Sequence, residues 1–254
     1  PAHNYMASHL KETLFSHGQV ISWAPGWWCG FPLFQYYFCL PYCFAAVLGL
    51  FMPFNIAFKI ACVFGIFALP PACYLAGRWL HLARPTPILL AAASLLMLFV
   101  KSHVMWGVNI YSTLAGMIAN SMSFTMMVLA IASAYDDVTT GRFRLRTVFL
   151  NVAVLASHFF TSIMLAVVLV VMPFIGPPAR IRDSLVILLK EGILTVLLMS
   201  WWLCPLLAKM SFSVDFGRDW DTSLVSSIPF YIQLLLPFCV VPLVLVDRQT
   251  LRPM

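Results

Sequence analysis

The chain has 254 residues, 62% of them hydrophobic and 9% charged, against about 25% charged in an ordinary soluble domain. Its 15 basic and 9 acidic side chains cannot clothe a water-soluble body of this length, and a mean hydropathy of +0.92 points to lipid as the surroundings. The net charge of +6 does not indicate nucleic acid, because the basic residues stand singly or in short stretches such as Arg142, Arg144 and Arg146, which suit anionic lipid headgroups.

From the start, residues 1–35 read as an amphiphilic surface region. A helix-like run from Asn4 to Phe15 leads into a turn-rich stretch whose Trp23, Trp27 and Trp28 suit the headgroup layer, where an indole has one apolar body and one polar handle. Crossing a hydrocarbon core of about 30 Å takes around 20 apolar residues in a helix, because the backbone must satisfy its own hydrogen bonds there. Windows near 36–53, 56–78, 86–101, 113–134, 148–174, 185–207 and 229–246 approach that length. The expected fold is therefore all-α, a polytopic transmembrane bundle of six or seven helices over 36–254. Two windows are awkward: 36–53 is short and holds Pro41, and 148–174 is long enough to tilt or to break near His158. The most acidic loop, 209–229, holds Asp215, Asp219 and Asp221. Charge bias places Arg78 and Arg84 with the Arg142–Arg146 stretch on the cytoplasmic side and the acidic loop outside. Pairing the first two windows as a hairpin would put residues 1–35 on the side of Arg84. No internal repeat or low-complexity tract divides the chain. It begins at Pro1 with no leader pattern, and the expectation is a fragment of a longer protein.

The densest polar cluster is His3, Asn4, His9, Lys11, Glu12 and His17. On a helix His9 and Glu12 share a face, so a carboxylate can orient the imidazole. The spacing fits no metal motif, and the polar face of an interfacial helix explains it equally. In the stretch from Trp23 to Pro32, Gly26 and Gly30 permit unusual backbone while Pro25 and Pro32 fix φ, which predicts a shaped loop. Such a loop can frame a groove for a lipid-linked substrate or anchor at headgroups. His103 and Asn109 lie near a helix end beside Trp106, with headgroup contact the plain reading. His158, inside an apolar run, is a functional suspect by its setting, with a hydrogen bond through Ser157 or Asn151 as the structural alternative. Lys190 and Glu191 point to different sides of one helix. Of the seven cysteines none forms a CxxC pair, and they read as small apolar fillers.

The order His3, Leu10-Lys11-Glu12, Gly18, Trp23-x-Pro25, Gly30-x-Pro32, Tyr36-Tyr37 and Leu40-Pro41-Tyr42, followed by Ala57-Phe58-Lys59, resembles a bacterial membrane protein family described as 6-pyruvoyl-tetrahydropterin synthase-related. The likeness continues through Gly107-x-Asn109, Ser112 to Gly116, His158 and Trp201-Trp202-x-x-Pro205. That family in turn resembles glycosyltransferases of the GT-C fold. Nothing in the chain resembles a soluble pterin synthase, whose metal site needs a histidine triad on a β-rich scaffold. The resemblance implies a transferase in envelope glycan or glycolipid assembly that draws sugar from a polyprenyl-phosphate donor at the bilayer, with an acidic first-loop residue as base or metal ligand. That acidic residue would precede Pro1, and Met117 stands where relatives carry Glu, two departures that weigh against activity of this chain. The residues assigned by the resemblance are His3, His9 and Glu12 for catalysis, and Lys11, Trp23, Trp27, Gly30, Asn109 and His158 for substrate. A divalent metal is allowed, with no ligands assigned and no cofactor required. The competing classes are a multi-pass transporter or flippase of lipid-linked substrates, which would place a broken or charged site at the midplane, and a structural membrane subunit without chemistry.

The composition alone predicts that the chain stays with the membrane through an alkaline carbonate wash and leaves it only in detergent. Recovery in the wash supernatant would contradict the lipid setting.

Overall fold

The computed structural model describes residues 2–26, 29–101, 107–174 and 180–213. Residues Pro1–Ala208 form one compact unit and Lys209–Met254 a second, of which 209–213 are described.

The first unit opens with α1 (Ala2–His17) and a short antiparallel ribbon, β1 (Ser22–Ala24) paired to β2 (Phe31–Leu33), with Trp23 opposite Pro32. This ribbon is the only sheet among the described residues. Then follow α2 (Leu40–Leu48), α3 (Phe54–Trp79), α4 (Thr86–Leu98), the one-turn α5 (Ile110–Leu114), α6 (Ile118–Thr140), α7 (Leu145–Ser157), α8 (Phe159–Val171), α9 (Ile181–Leu198) and α10 (Ser200–Ala208).

Two of these helices, α3 with 26 residues and α6 with 23, are long and apolar enough to cross a membrane. At 1.5 Å per residue they reach roughly 39 and 35 Å, more than the ~30 Å hydrocarbon core. A third crossing exists if α9 and α10, bent by 71°, form one broken span. The remaining expected windows hold shorter helices. Pro41 starts α2 late and Gly49 ends it after nine residues. Window 148–174 is divided at His158, whose extended backbone (φ −164°, ψ 121°) separates α7 from α8. At 13 residues each, α7 and α8 reach only about 20 Å. Window 229–246 lies outside the described residues.

The frame of the unit is the contact between α3 and α6. Small residues recur down one side of α3, at Ala57, Ala61, Gly65, Ala72 and Ala76, and all are buried. A Cβ placed on Gly65 would collide with the Ser121 backbone. In its absence the two helices meet main chain to main chain, and Thr125 Oγ1 donates to the Gly65 carbonyl at 2.9 Å. Lipid tails are as apolar as a leucine, so helices in a bilayer associate through such close packing and interhelical hydrogen bonds. The two run in the same direction: Gly65 faces Ser121, and beyond the end of α3, His81 faces Asp136. Helix α7 runs the opposite way along α6, fixed by Ser133 to Thr147 at 2.6 Å and by Ser123 donating to the Val154 carbonyl at 3.0 Å.

Each end of α6 carries a different environment. At its start Ile118 joins a core made by Leu10, Leu33, Phe34, Tyr42 and Ala61, which seats α1, the ribbon and α2 together. At its end Asp136 and Asp137 meet the arginines that precede and begin α7.

Replacing Gly65 by valine should lower the thermal midpoint in detergent by an amount equivalent to about 1–3 kcal/mol, the usual cost of overpacking. Gly192, with nothing near its Cβ position, is the control: Gly192→Ala should leave the midpoint unchanged or slightly raised. Equal effects of the two would remove the close helix contact as the organising feature.

Candidate functional site

Residues 34–42, between the ribbon and α2, are the point on which distant parts of the sequence converge. From α1, His3 Nδ1 meets the hydroxyl of Tyr42 at 2.6 Å. Its Nε2 lies against Gly116, whose carbonyl favours the protonated ring, but burial outweighs this and holds the His3 pKa below 6.5. A neutral ring protonated at Nε2 then donates to Gly116 and accepts from Tyr42. Gly116 has φ +107°, a conformation open to glycine, and leaves room for the ring. From α7 and α8, the His158 ring packs on Phe38 with centroids 5.0 Å apart, and its Nδ1 is 3.0 Å from Thr161 Oγ1. The partner is thus Thr161, on the turn that His158 starts. From α10, the indole of Trp202 donates to the Phe34 carbonyl at 2.9 Å.

The other expected site residues are placed as follows. His9 Nε2 meets Ser22 Oγ at 2.8 Å and stacks on Tyr5, tying α1 to the ribbon, while Glu12 is exposed. Lys11 Nζ donates to the Gly49 carbonyl at 3.2 Å and lies over the ring of Phe54, which closes the end of α2 onto α1. Trp23 is 63% exposed and its indole covers Gly30, where φ is +105° and a Cβ would strike the ring. Trp27, His103 and Trp106 fall outside the described residues. Asn109 is buried and caps α5, accepting from Ser112 N at 2.7 Å. Around it, Gly107 N donates to Ser112 Oγ at 2.7 Å and Val108 N to Ser121 Oγ at 3.2 Å. Gly107 and Val108 both have positive φ, and for a β-branched residue that is strained backbone. The Gly107-x-Asn109 pattern is therefore a shaped turn seated on α6. Of the expected residues, His3 and His158 both reach the 34–42 segment, and His9 and Lys11 hold α1 over it.

Sequence reasoning missed Gln35, while Asn151 and Ser157, expected as hydrogen-bonding groups, are left without one. Gln35 Nε2, Asn151 Oδ1 and Ser157 Oγ are all buried with no hydrogen-bond partner among the described residues. A buried polar atom left unpaired costs on the order of 1–3 kcal/mol, so such atoms mark places where water or a polar ligand belongs. No periodicity flags Gln35, which reads in sequence as one more loop residue.

Also missed was the network at the opposite end of α6. Asp136 accepts from Arg144 at 2.7 Å, Arg146 at 2.9 Å and His81 at 3.1 Å. The fully buried Asp137 accepts from Arg144 at 2.6 Å and from Thr147 at 2.6 Å, and Arg146 stacks on Trp79 at 3.9 Å. The signal was present in the run Asp136-Asp137 followed by Arg144 and Arg146, paired charges on either side of a helix end. This cluster brings the α3–α4 and α6–α7 connections to one end of the molecule. Among the described residues no group of three or more His, Cys, Asp or Glu side chains is arranged to hold a metal.

Long apolar helices meeting through small residues, with large hydrophobic side chains exposed over the outside, define a helical membrane protein. The model of the 6-pyruvoyl-tetrahydropterin synthase related domain, a membrane protein family, matches residues 34–239. The chain belongs to that family. No curated protein and no solved structure matches it at a significant level.

The neutral state of His3 gives a pH prediction. Because its folded-state pKa is depressed, its contribution to stability is present above the unfolded value of 6.5 and is lost as pH falls below it. Melting in detergent should therefore shift down between roughly pH 7 and 5, and the shift should shrink in His3→Asn. An identical profile for the two proteins would remove the buried, neutral imidazole.

Proposed function

We propose that the chain is a GT-C-like transferase, or a non-catalytic relative of one, that binds a polyprenyl-phosphate-linked sugar at the membrane surface in envelope glycan or glycolipid assembly. The observation that carries this reading is the convergence of His3, His158 and Trp202 on residues 34–42, with buried donors and acceptors close by in the chain that lack a partner among the described residues. The occupant this suits is polar, and the surroundings suit a lipid tail.

On this reading the shorter helices complete a bundle of six or seven crossings in the inner membrane, and residues 1–35 cover its outer face. His158 and Lys11 contact the lipid phosphate, since cationic or hydrogen-bonding groups stabilise the charge that develops on a departing phosphate. His3, neutral and held between Tyr42 and Gly116, is a polar contact of the site, and His9, backed by Ser22, stands as proton acceptor for an acceptor hydroxyl, with Glu12 as an orienting carboxylate. Trp23, Trp27 and Gly30 frame the entrance, and Asn109 holds the turn that presents Gly116 to His3.

A second reading, transport of a lipid-linked substrate, is favoured by the two interruptions at His158 and between α9 and α10. Broken helices at membrane depth are the usual setting of transporter binding sites.

The test is retention of a polyprenyl phosphate by the detergent-solubilised chain in native mass spectrometry, against the uncharged polyprenol as control. The phosphate should be retained in preference to the alcohol, and His158→Ala and Gln35→Ala should each weaken retention roughly tenfold, equivalent to about 1.4 kcal/mol. Equal retention of phosphate and alcohol, or insensitivity to both substitutions, rejects a phosphate site here. Vectorial movement of the bound lipid in proteoliposomes would favour transport over transfer.

A further inference from the structure

Glu191 lies on α9, and its side chain is fully buried. Neither of its carboxyl oxygens has a hydrogen-bond donor among the described residues. The group beside it is the carboxyl of Asp137 on α6, which is itself fully buried. The neighbouring residue Lys190 is exposed and brings no compensating charge inward.

Among the described residues, the charged groups on the packed elements are as follows. Helix α6 contributes Asp136 and Asp137, and the start of α7 contributes Arg144 and Arg146. The α3–α4 connection adds His81, whose side chain is 58% exposed. Helix α8 carries no titratable side chain, α10 only the exposed Cys204, and α9 itself adds Arg182 and Asp183, both exposed, preceded by the exposed Arg180, which donates to the Thr139 carbonyl. Three carboxyl groups thus face two guanidiniums, and Arg144 and Arg146 are spent on Asp136 and Asp137. Glu191 is left without a cationic partner among the described residues, in surroundings where an isolated charge costs several kcal/mol. Two buried carboxyl groups settle side by side only when one of them is protonated and supplies a donor.

We propose that Glu191 and Asp137 form a binding site for one proton, carried by Glu191 and turned toward Asp137, and that this proton docks α9 against α6 and α7. The site stands apart from the polyprenyl-phosphate reading and lies at the other end of α6. Loss of the proton places two carboxylates side by side, so docking of α9 weakens as pH rises. Asp136 and the exposed His81 extend the network from the pair to the surface.

Infrared spectroscopy of the full chain in nanodiscs tests this. The wild-type protein should give the C=O stretch of a protonated carboxyl at neutral pH, shifted in heavy water. The band should be missing in Glu191→Gln and retained in Asp183→Asn. The wild-type melting midpoint should fall as pH rises, in step with loss of the band, while the Gln variant, whose amide keeps a donor toward Asp137, should show a flat profile. Absence of the band in folded wild-type protein overturns the proposal, as does its persistence in Glu191→Gln. A band that forms only in metal-depleted buffer and is displaced by Mg2+ or Na+ also overturns it, in favour of a metal cation. Should Glu191→Gln fail to fold, the wild-type titration decides alone: a midpoint that stays level while the band disappears refutes a docking role.

Discussion

The close approach of α3 and α6 is the constraint on which the rest of the molecule depends. It exists because Gly65 has no side chain and because Thr125 donates its hydroxyl to the carbonyl that glycine leaves bare. In water a pair of apolar helices is held by the exclusion of solvent. In lipid that force is missing between helices, and contact area with hydrogen bonds must replace it. The small side chains at Ala57, Ala61, Gly65, Ala72 and Ala76 supply that area on α3. Everything else hangs from the two ends of the pair: the α1, ribbon and α2 assembly at one, the arginine and aspartate network at the other.

The membrane character and helical content were legible from composition, because polar surface is a bulk property that no local detail can hide. The family was legible from short blocks of residues between 3 and 205. Helix length was less so. A hydropathy window counts apolar side chains and is blind to where the backbone turns, so 148–174 reads as one stretch although His158 divides it. Likewise 185–207 is apolar across the bend between α9 and α10. Proline gave a better clue, and Pro41 does mark the awkward start of α2. Yet Pro70 and Pro71 sit inside α3 without ending it, since a neighbouring helix can support a proline in lipid.

The candidate site was legible residue by residue but not as a place. His3 and His158 were singled out by type and setting, while their meeting point at residues 34–42 is a product of the fold. The pairing of His9 with Ser22, and the exposure of Glu12, follow from a ribbon of three-residue strands too short to leave a β-period in the sequence. Asn109 illustrates a further difficulty. A capping residue and a ligand-binding amide look identical in sequence, and only the geometry of Ser112 N shows what the oxygen is accepting. The carboxyl pair of Asp137 and Glu191 was hidden for a simpler reason, being 54 positions apart on two different helices.

The hydrogen bond from Trp202 to Phe34 joins positions 168 apart, and that separation bears on the order of assembly. A nascent chain inserts its helices as they leave the ribosome, so α3 and α6 can settle against each other while α10 is still being made. The 34–42 segment cannot take its final position until the indole arrives. During that interval the Phe34 carbonyl lacks its indole donor, so this part of the 34–42 segment is completed only after the helices of the frame have been made.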